Sequence, residues 1–112
     1  MRHTLLLITG EGLGRGDDDL GRRLMTKFLA QVMARPEVPH TIAFYNAGVK
    51  LLTGGSPVLD VLRRLEAAGA ELVACGTCVD AFGLADTLAV GRVTDMREIV
   101  SGMMDADKVV TV

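Results

Sequence analysis

At 112 residues the chain has room for one compact domain, read as residues 1–112, and no second core, since domains run to ~100–200 residues. A hydrophobic content of 49%, 13 glycines and a mean hydropathy of +0.34 exclude a disordered chain and are high for so small a monomer, so a folded homo-oligomer is expected. A formal charge of −2, scattered Lys and Arg and no Trp supply neither the basic footprint nor the stacking platform of a nucleic-acid binder.

The chain opens Met1-Arg2-His3-Thr4 and runs into Leu5 to Ile8, an apolar run too short for a signal-peptide core. No later apolar stretch approaches the ~20 residues of a membrane span, so a cytoplasmic protein with no membrane partner is expected. Residues 4–9 are β-prone and stop at the glycine cluster Gly10-Glu11-Gly12-Leu13-Gly14-Arg15-Gly16. From Asp17 on, Leu20, Leu24, Met25, Phe28, Val32 and Met33 recur at helical spacing, with Asp17 to Asp19 where the helix dipole favours anions and Pro36 beyond the stop.

Residues 41–45 read as a second strand, leaving through Asn46-Ala47-Gly48-Val49-Lys50, a turn with room for a short helical piece. Ser56 as N-cap and Pro57 at the first helical position open a helix carrying Val58, Leu59, Val61, Leu62 and Leu65, and Gly69 stands where a left-handed C-terminal cap belongs. Residues 70–74 form a third strand that delivers the chain into Cys75-Gly76-Thr77-Cys78 and a short helix ended by Gly83. A fourth strand is placed near residues 88–93. Asp95 with Glu98 three residues on has the form of a capping box, and Met96, Ile99, Val100 and Met103 mark the buried stripe of a last helix before a fifth strand at residues 108–112. Strands that alternate with helices and are apolar on both faces predict an α/β fold, a three-layer α/β/α sandwich around a mainly parallel five-stranded sheet.

In such a sheet, ligands and chemistry gather at the carboxyl ends of the strands. Three loops qualify: Gly10 to Gly16, Asn46 to Lys50, and Cys75 to Cys78. Two cysteines are too few for a disulfide scaffold, and a Cys-x-x-Cys spacing reads as redox, sulfur or metal chemistry. Backbone N–H groups at a helix start stabilise a thiolate and lower the thiol pKa from its free ~8.5. Gly76 and Thr77 leave that backbone accessible, and Cys78 lies one helical turn on, close enough for a mixed intermediate or a disulfide with Cys75. The bland alternative is two small hydrophobes packed at a strand end.

Structural zinc wants four ligands, and the remaining candidates, His3 and His40, fall at the amino ends of strands, so no metal is expected. The glycine cluster has the spacing of neither common nucleotide-binding loop, and Asp17 to Asp19 would repel a phosphate, so no cofactor is expected either. Lys50 and Arg15 are candidate supports for an ionised Cys75 if they reach within ~4–6 Å; solvated surface charge is their default role.

Gly14-Arg15-Gly16-Asp17-Asp18 followed by Leu20-Gly21 and Leu24-Met25, then Phe44-Tyr45-Asn46-Ala47-Gly48-Val49-Lys50-Leu51, Cys75-Gly76-Thr77-Cys78, and Val90-Gly91 near Met96 resemble, in order and content, the DsrE/DsrF family of small sulfur-transfer proteins, and within it the C-terminal domain of the YedF type. The resemblance implies an α/β/α fold, assembly into homo- or hetero-oligomers, and a cysteine after the third strand that carries sulfur as a persulfide. That position is Cys75, and Cys78 corresponds to the extra thiol of Cys-x-x-Cys members. YedF-type chains, associated by name with selenium metabolism, also carry an N-terminal TusA-like domain with a Cys-Pro-x-Pro motif. That motif has no counterpart ahead of Thr4, so a donor or acceptor thiol is expected from another protein, such as a TusA-like one. Asp95 stands where that type has Asn.

Three functions are therefore open. In the first, a sulfurtransferase or sulfur carrier, the Cys75 thiolate takes sulfane sulfur from a donor persulfide and yields it to an acceptor thiolate, with Cys78 releasing or protecting it. In the second, Cys75 and Cys78 cycle as a dithiol–disulfide pair. In the third, a non-catalytic oligomeric binding module, the cysteines only pack.

Overall fold

The apolar runs become strands and the segments between them become helices: β1 (Thr4–Ile8), α1 (Asp18–Met33), β2 (Thr41–Phe44), a 3-10 segment (Asn46–Leu52), α2 (Leu59–Ala67), β3 (Glu71–Cys75), α3 (Gly76–Ala81), β4 (Arg92–Thr94), α4 (Met96–Asp105) and β5 (Lys108–Thr111). They are seen in a computed structural model that describes residues 3–112; Met1 and Arg2, which open the leading segment read above, lie outside it.

All strands pair in parallel, in the order β4-β3-β2-β1-β5. In register, Val110, Leu6, Ile42 and Leu72 form one row across the sheet and Ile8, Phe44, Ala74 and Val93 the next on the same face. That face packs against Met25 and Leu29 of α1, Leu62 and Leu65 of α2, and Val49 and Leu52 of the 3-10 segment. The opposite face presents Leu5, Leu7, Ala43, Val73 and Cys75 to Ile99 of α4. Burial from both sides is why these strands read as continuous apolar runs, and it makes the fold the three-layer α/β/α sandwich expected. The chain steps from β1 to β4 with α1 and α2 on one face, then returns to β5 through α4 on the other, the side change that right-handed crossovers require.

Local signals set most boundaries. Asp17 caps α1 by accepting from the Leu20 N–H at 2.8 Å. Gly69 (φ 109°) ends α2, its N–H donating to the Glu66 carbonyl and that of Ala70 to the Leu65 carbonyl, the paired bonds of a Schellman cap.

Four expectations are corrected. First, α2 does not open with Ser56 as N-cap and Pro57 as its first residue: Ser56 Oγ accepts from the Val58 N–H at 3.3 Å, a local turn that places Pro57 ahead of a helix starting at Leu59. Second, β4 begins at Arg92, and Leu88 makes only an isolated antiparallel bridge to Thr53. Gly91 separates the two: its φ of 77° breaks the extended run, and a Cβ there would lie 3.0 Å from the Leu72 carbonyl. Third, Leu20 and Leu24 are exposed, and α1 buries Gly21, Met25 and Leu29, a stripe one residue round the helix. Fourth, Met96 and Val100 are exposed on α4, where Ile99 is buried and Met103 half-buried. Asp95 does cap α4, accepting from the Glu98 N–H at 2.9 Å. The Glu98 carboxylate does not reach back to complete the box, because it is taken by Arg92 and Thr94.

Candidate functional site

β3 carries Cys75 to the carboxyl edge of the sheet, where the residue is only 2% exposed. Its register partner on β4 is Thr94. The next residue has to be small, since a Cβ on Gly76 would lie 3.0 Å from the Thr94 carbonyl and 3.2 Å from the Val93 side chain. Gly76 and the exposed Thr77 start α3, and Cys78 falls within its first turn, partly exposed. From the neighbouring strand, the chain leaves β2 and enters the 3-10 segment through Asn46, whose φ of 51° lies in the left-handed region. At this bend the Asn46 backbone N–H donates to Cys78, 3.0 Å from Sγ. Gly48 locks the segment against β1, because a side chain there would collide with the Ile8 carbonyl.

Both cysteines are free thiols. Burial pushes the Cys78 thiol up, the Asn46 N–H opposes this by bonding the sulfur, and the adjoining Cys75 raises it further through hydrogen bonding and charge. The shift is opposite to the lowering expected for this loop. The Cys75 side chain itself makes no capping bond to α3.

The two cations read from the sequence as candidate supports have different surroundings. Lys50 holds its Nζ 4.5 Å from the centroid of the Phe82 ring, at the end of α3, a cation–π contact. Arg15 is exposed and enters none of the ion pairs seen among the described residues. Its loop is tied to α1, with Gly12 against Gly21 and the Leu13 N–H donating to the Gly21 carbonyl at 2.9 Å. Gly76, Thr77 and Cys78 thus follow Cys75 directly at the start of α3, and Asn46 bonds Cys78; among the described residues no hydrogen bond joins Lys50 or Arg15 to either thiol.

Phe82 and Thr94 were missed in the sequence. Phe82, the last aromatic in the chain and next to the helix-ending Gly83, was a readable signal for the first; β4 and its Thr94 depended on a register that sequence does not show. His3 and His40 lie at the opposite edge as read, rings stacked at 4.3 Å, with His40 Nδ1 accepting from the Thr4 N–H at 3.4 Å. Among the described residues, no three His, Cys, Asp or Glu side chains gather as metal ligands, and no helix is long and apolar enough to cross a membrane.

A family model described as DsrE/DsrF-like matches residues 16–112. The chain belongs to this family. The fold is shared by solved structures at low identity. The ychN protein of E. coli aligns at 18% identity and a TM-score of 0.71 over 100% of both chains. MTH1491 of Methanobacterium thermoautotrophicum, titled a protein of unknown function, aligns at 20% and 0.74, again over 100% of both. BT1422 of Bacteroides thetaiotaomicron, a conserved protein of unknown function, aligns at 18% and 0.67 over 97% of this chain and 94% of its own. No curated protein matches. In this DsrE/DsrF-like chain both thiols lie within the matched region, Cys75 at the end of β3 and Cys78 in α3, and Asn46 follows the neighbouring strand β2.

Proposed function

We propose that this DsrE/DsrF-like protein is a sulfurtransferase or sulfur carrier that holds sulfane sulfur as a persulfide on Cys75. One observation carries the reading: two free thiols adjoin at the carboxyl edge of a parallel sheet, and a backbone N–H from the neighbouring loop donates to the sulfur of one of them. An N–H placed on sulfur stabilises the anionic thiolate or persulfide that transfer chemistry passes through. The sequence resemblance to YedF-type domains supports the same reading, with sulfur exchanged with a separate thiol protein of TusA-like chemistry and the carrier itself a homo-oligomer.

The contact between the thiols also favours a second reading, in which Cys75 and Cys78 cycle between dithiol and disulfide. Carriage needs only a thiol that keeps the sulfur, whereas disulfide cycling needs both.

Intact mass of the reduced protein after exposure to glutathione persulfide decides between them. The expected result is a gain of one sulfur atom, removed by reductant and mapped to Cys75 in peptide digests. A protein that instead loses two hydrogens and keeps no sulfur is the dithiol–disulfide module, and an unchanged mass removes both readings.

A further inference from the structure

The two thiols differ in what can reach them. Cys75 is 2% exposed, enclosed by the Leu7, Ala43, Val73 and Ile99 cluster, and Gly76 seats β4 against the loop that follows it. At 2% exposure Cys75 offers a donor persulfide on another molecule far less surface than the partly exposed Cys78 does. Cys78 is partly exposed, packs against the same cluster that holds Cys75, and already accepts a hydrogen bond from the Asn46 N–H at 3.0 Å. Resting on the carrier reading above, we infer that Cys78 is the receiving thiol, which takes sulfur from the donor at the surface and passes it inward to Cys75.

The steps balance without an oxidant. The Cys78 thiolate attacks the outer sulfur of a donor R–S–SH, the donor S–S bond breaks, RS⁻ leaves, and Cys78–S–SH forms. Cys75 then attacks the outer sulfur of Cys78–S–SH: a bond forms from Cys75 Sγ to that sulfur, the bond from it to Cys78 Sγ breaks, and the Cys75 proton ends on Cys78. The products are Cys75–S–SH and a free Cys78 thiol, which can receive from a second donor or take the sulfur back, by the reverse of the second step, for delivery to an acceptor thiolate. In the second step the leaving group is the Cys78 thiolate, the sulfur at which the Asn46 N–H points. The inner position shields the persulfide from water and oxidants, and the transfer is intramolecular, between groups already held together.

The test uses the full chain, glutathione persulfide as donor, and alkylation quenching at successive times followed by peptide mapping. In the wild type, sulfur is expected first on Cys78 and later on Cys75, with the Cys78 species rising and decaying. Cys75→Ser is expected to load and keep its sulfur on Cys78. Cys78→Ser is expected to load Cys75 at least about tenfold more slowly, since the donor must reach a buried sulfur. Far-UV circular dichroism of each variant checks that it is folded, and the wild-type time course stands even if one is not. Sulfur on Cys75 with no earlier Cys78 species, or a folded Cys78→Ser that loads at the wild-type rate, overturns the inference and leaves the carrier reading intact. A wild type that takes up no sulfur overturns both.

Discussion

Cys75 and Cys78 are three residues apart in sequence, yet β3 ends inside the fold and α3 begins at its surface, so the two thiols meet different surroundings. In the native protein iodoacetamide is expected to modify Cys78 well before Cys75, and digestion with mass mapping reads the order. Because burial and the neighbouring Cys75 both push the Cys78 thiol up, its thiolate fills in only at higher pH, and its alkylation rate should rise at higher pH than that of free cysteine. Cys75→Ser removes part of that rise, so the Cys78 profile should move to lower pH; an unmoved profile would mean the thiols do not interact. Gly48 offers a sharper test of the loop that holds Asn46. Gly48→Ala should cost about 1–3 kcal/mol, as overpacking does, and lower the urea midpoint. Gly54→Ala, with open space around it and no positive φ, should change stability by less than about 0.5 kcal/mol.

The short edge strand β4 is fastened to α4 by side chains. Arg92 bonds Glu71 of β3 and Glu98 of α4, and Thr94 donates to the same Glu98. These bonds hold the Glu98 carboxyl down from 4.5 to about 2, with Arg92 the larger cause and Thr94 the next. A depressed carboxylate contributes stability above its unfolded value and loses it as pH falls through the folded one. The Tm difference between wild type and Glu98→Gln should therefore be full at pH 5 and above and shrink between about 4.5 and 2. Since the groups are exposed, the difference should be small and should narrow in high salt; a difference constant with pH would assign the role of Glu98 to uncharged features of its side chain. This clamp was not legible in sequence, where Glu98 three residues after Asp95 had the form of a capping box. Caps at Asp95 and Gly69 were legible, because a cap is decided within a few residues of chain. So was the edge at which the cysteine loop lies, because alternating helices and parallel strands leave it one place to go. Which helix face turns inward was not. Leu20 and Leu24 run beside Met25 and Leu29 on α1, and periodicity alone does not choose between adjacent apolar stripes. The contact of Lys50 with Phe82 was not legible for the same reason: it joins segments that only the fold brings together.

The two faces of the sheet are covered unequally. α1 and α2 lie over one, while the ten residues of α4 supply the helical cover of the other. On the outer side of α4, Met96, Val100 and Met104 recur every fourth residue and are exposed, Met104 by 79%, and Val109 adds a further exposed apolar side chain on β5. A stripe of three such side chains on one short helix suits the centre of a self-complementary interface, and contact between copies of the proposed homo-oligomer is expected there. Light scattering at micromolar concentration should give a multiple of the 11.9 kDa chain mass. Met104→Glu removes about 1.5–3 kcal/mol of burial from each copy and places a charge in the contact, enough to weaken association by at least about tenfold and shift the mass toward the monomer with the circular dichroism spectrum unchanged. Leu20→Glu, an equally drastic change on an exposed apolar residue of α1, should leave the mass where it was. A wild type that is monomeric removes the homo-oligomer. An oligomer dissociated by Leu20→Glu and not by Met104→Glu moves the interface from the α4 side of the sheet to the α1 side.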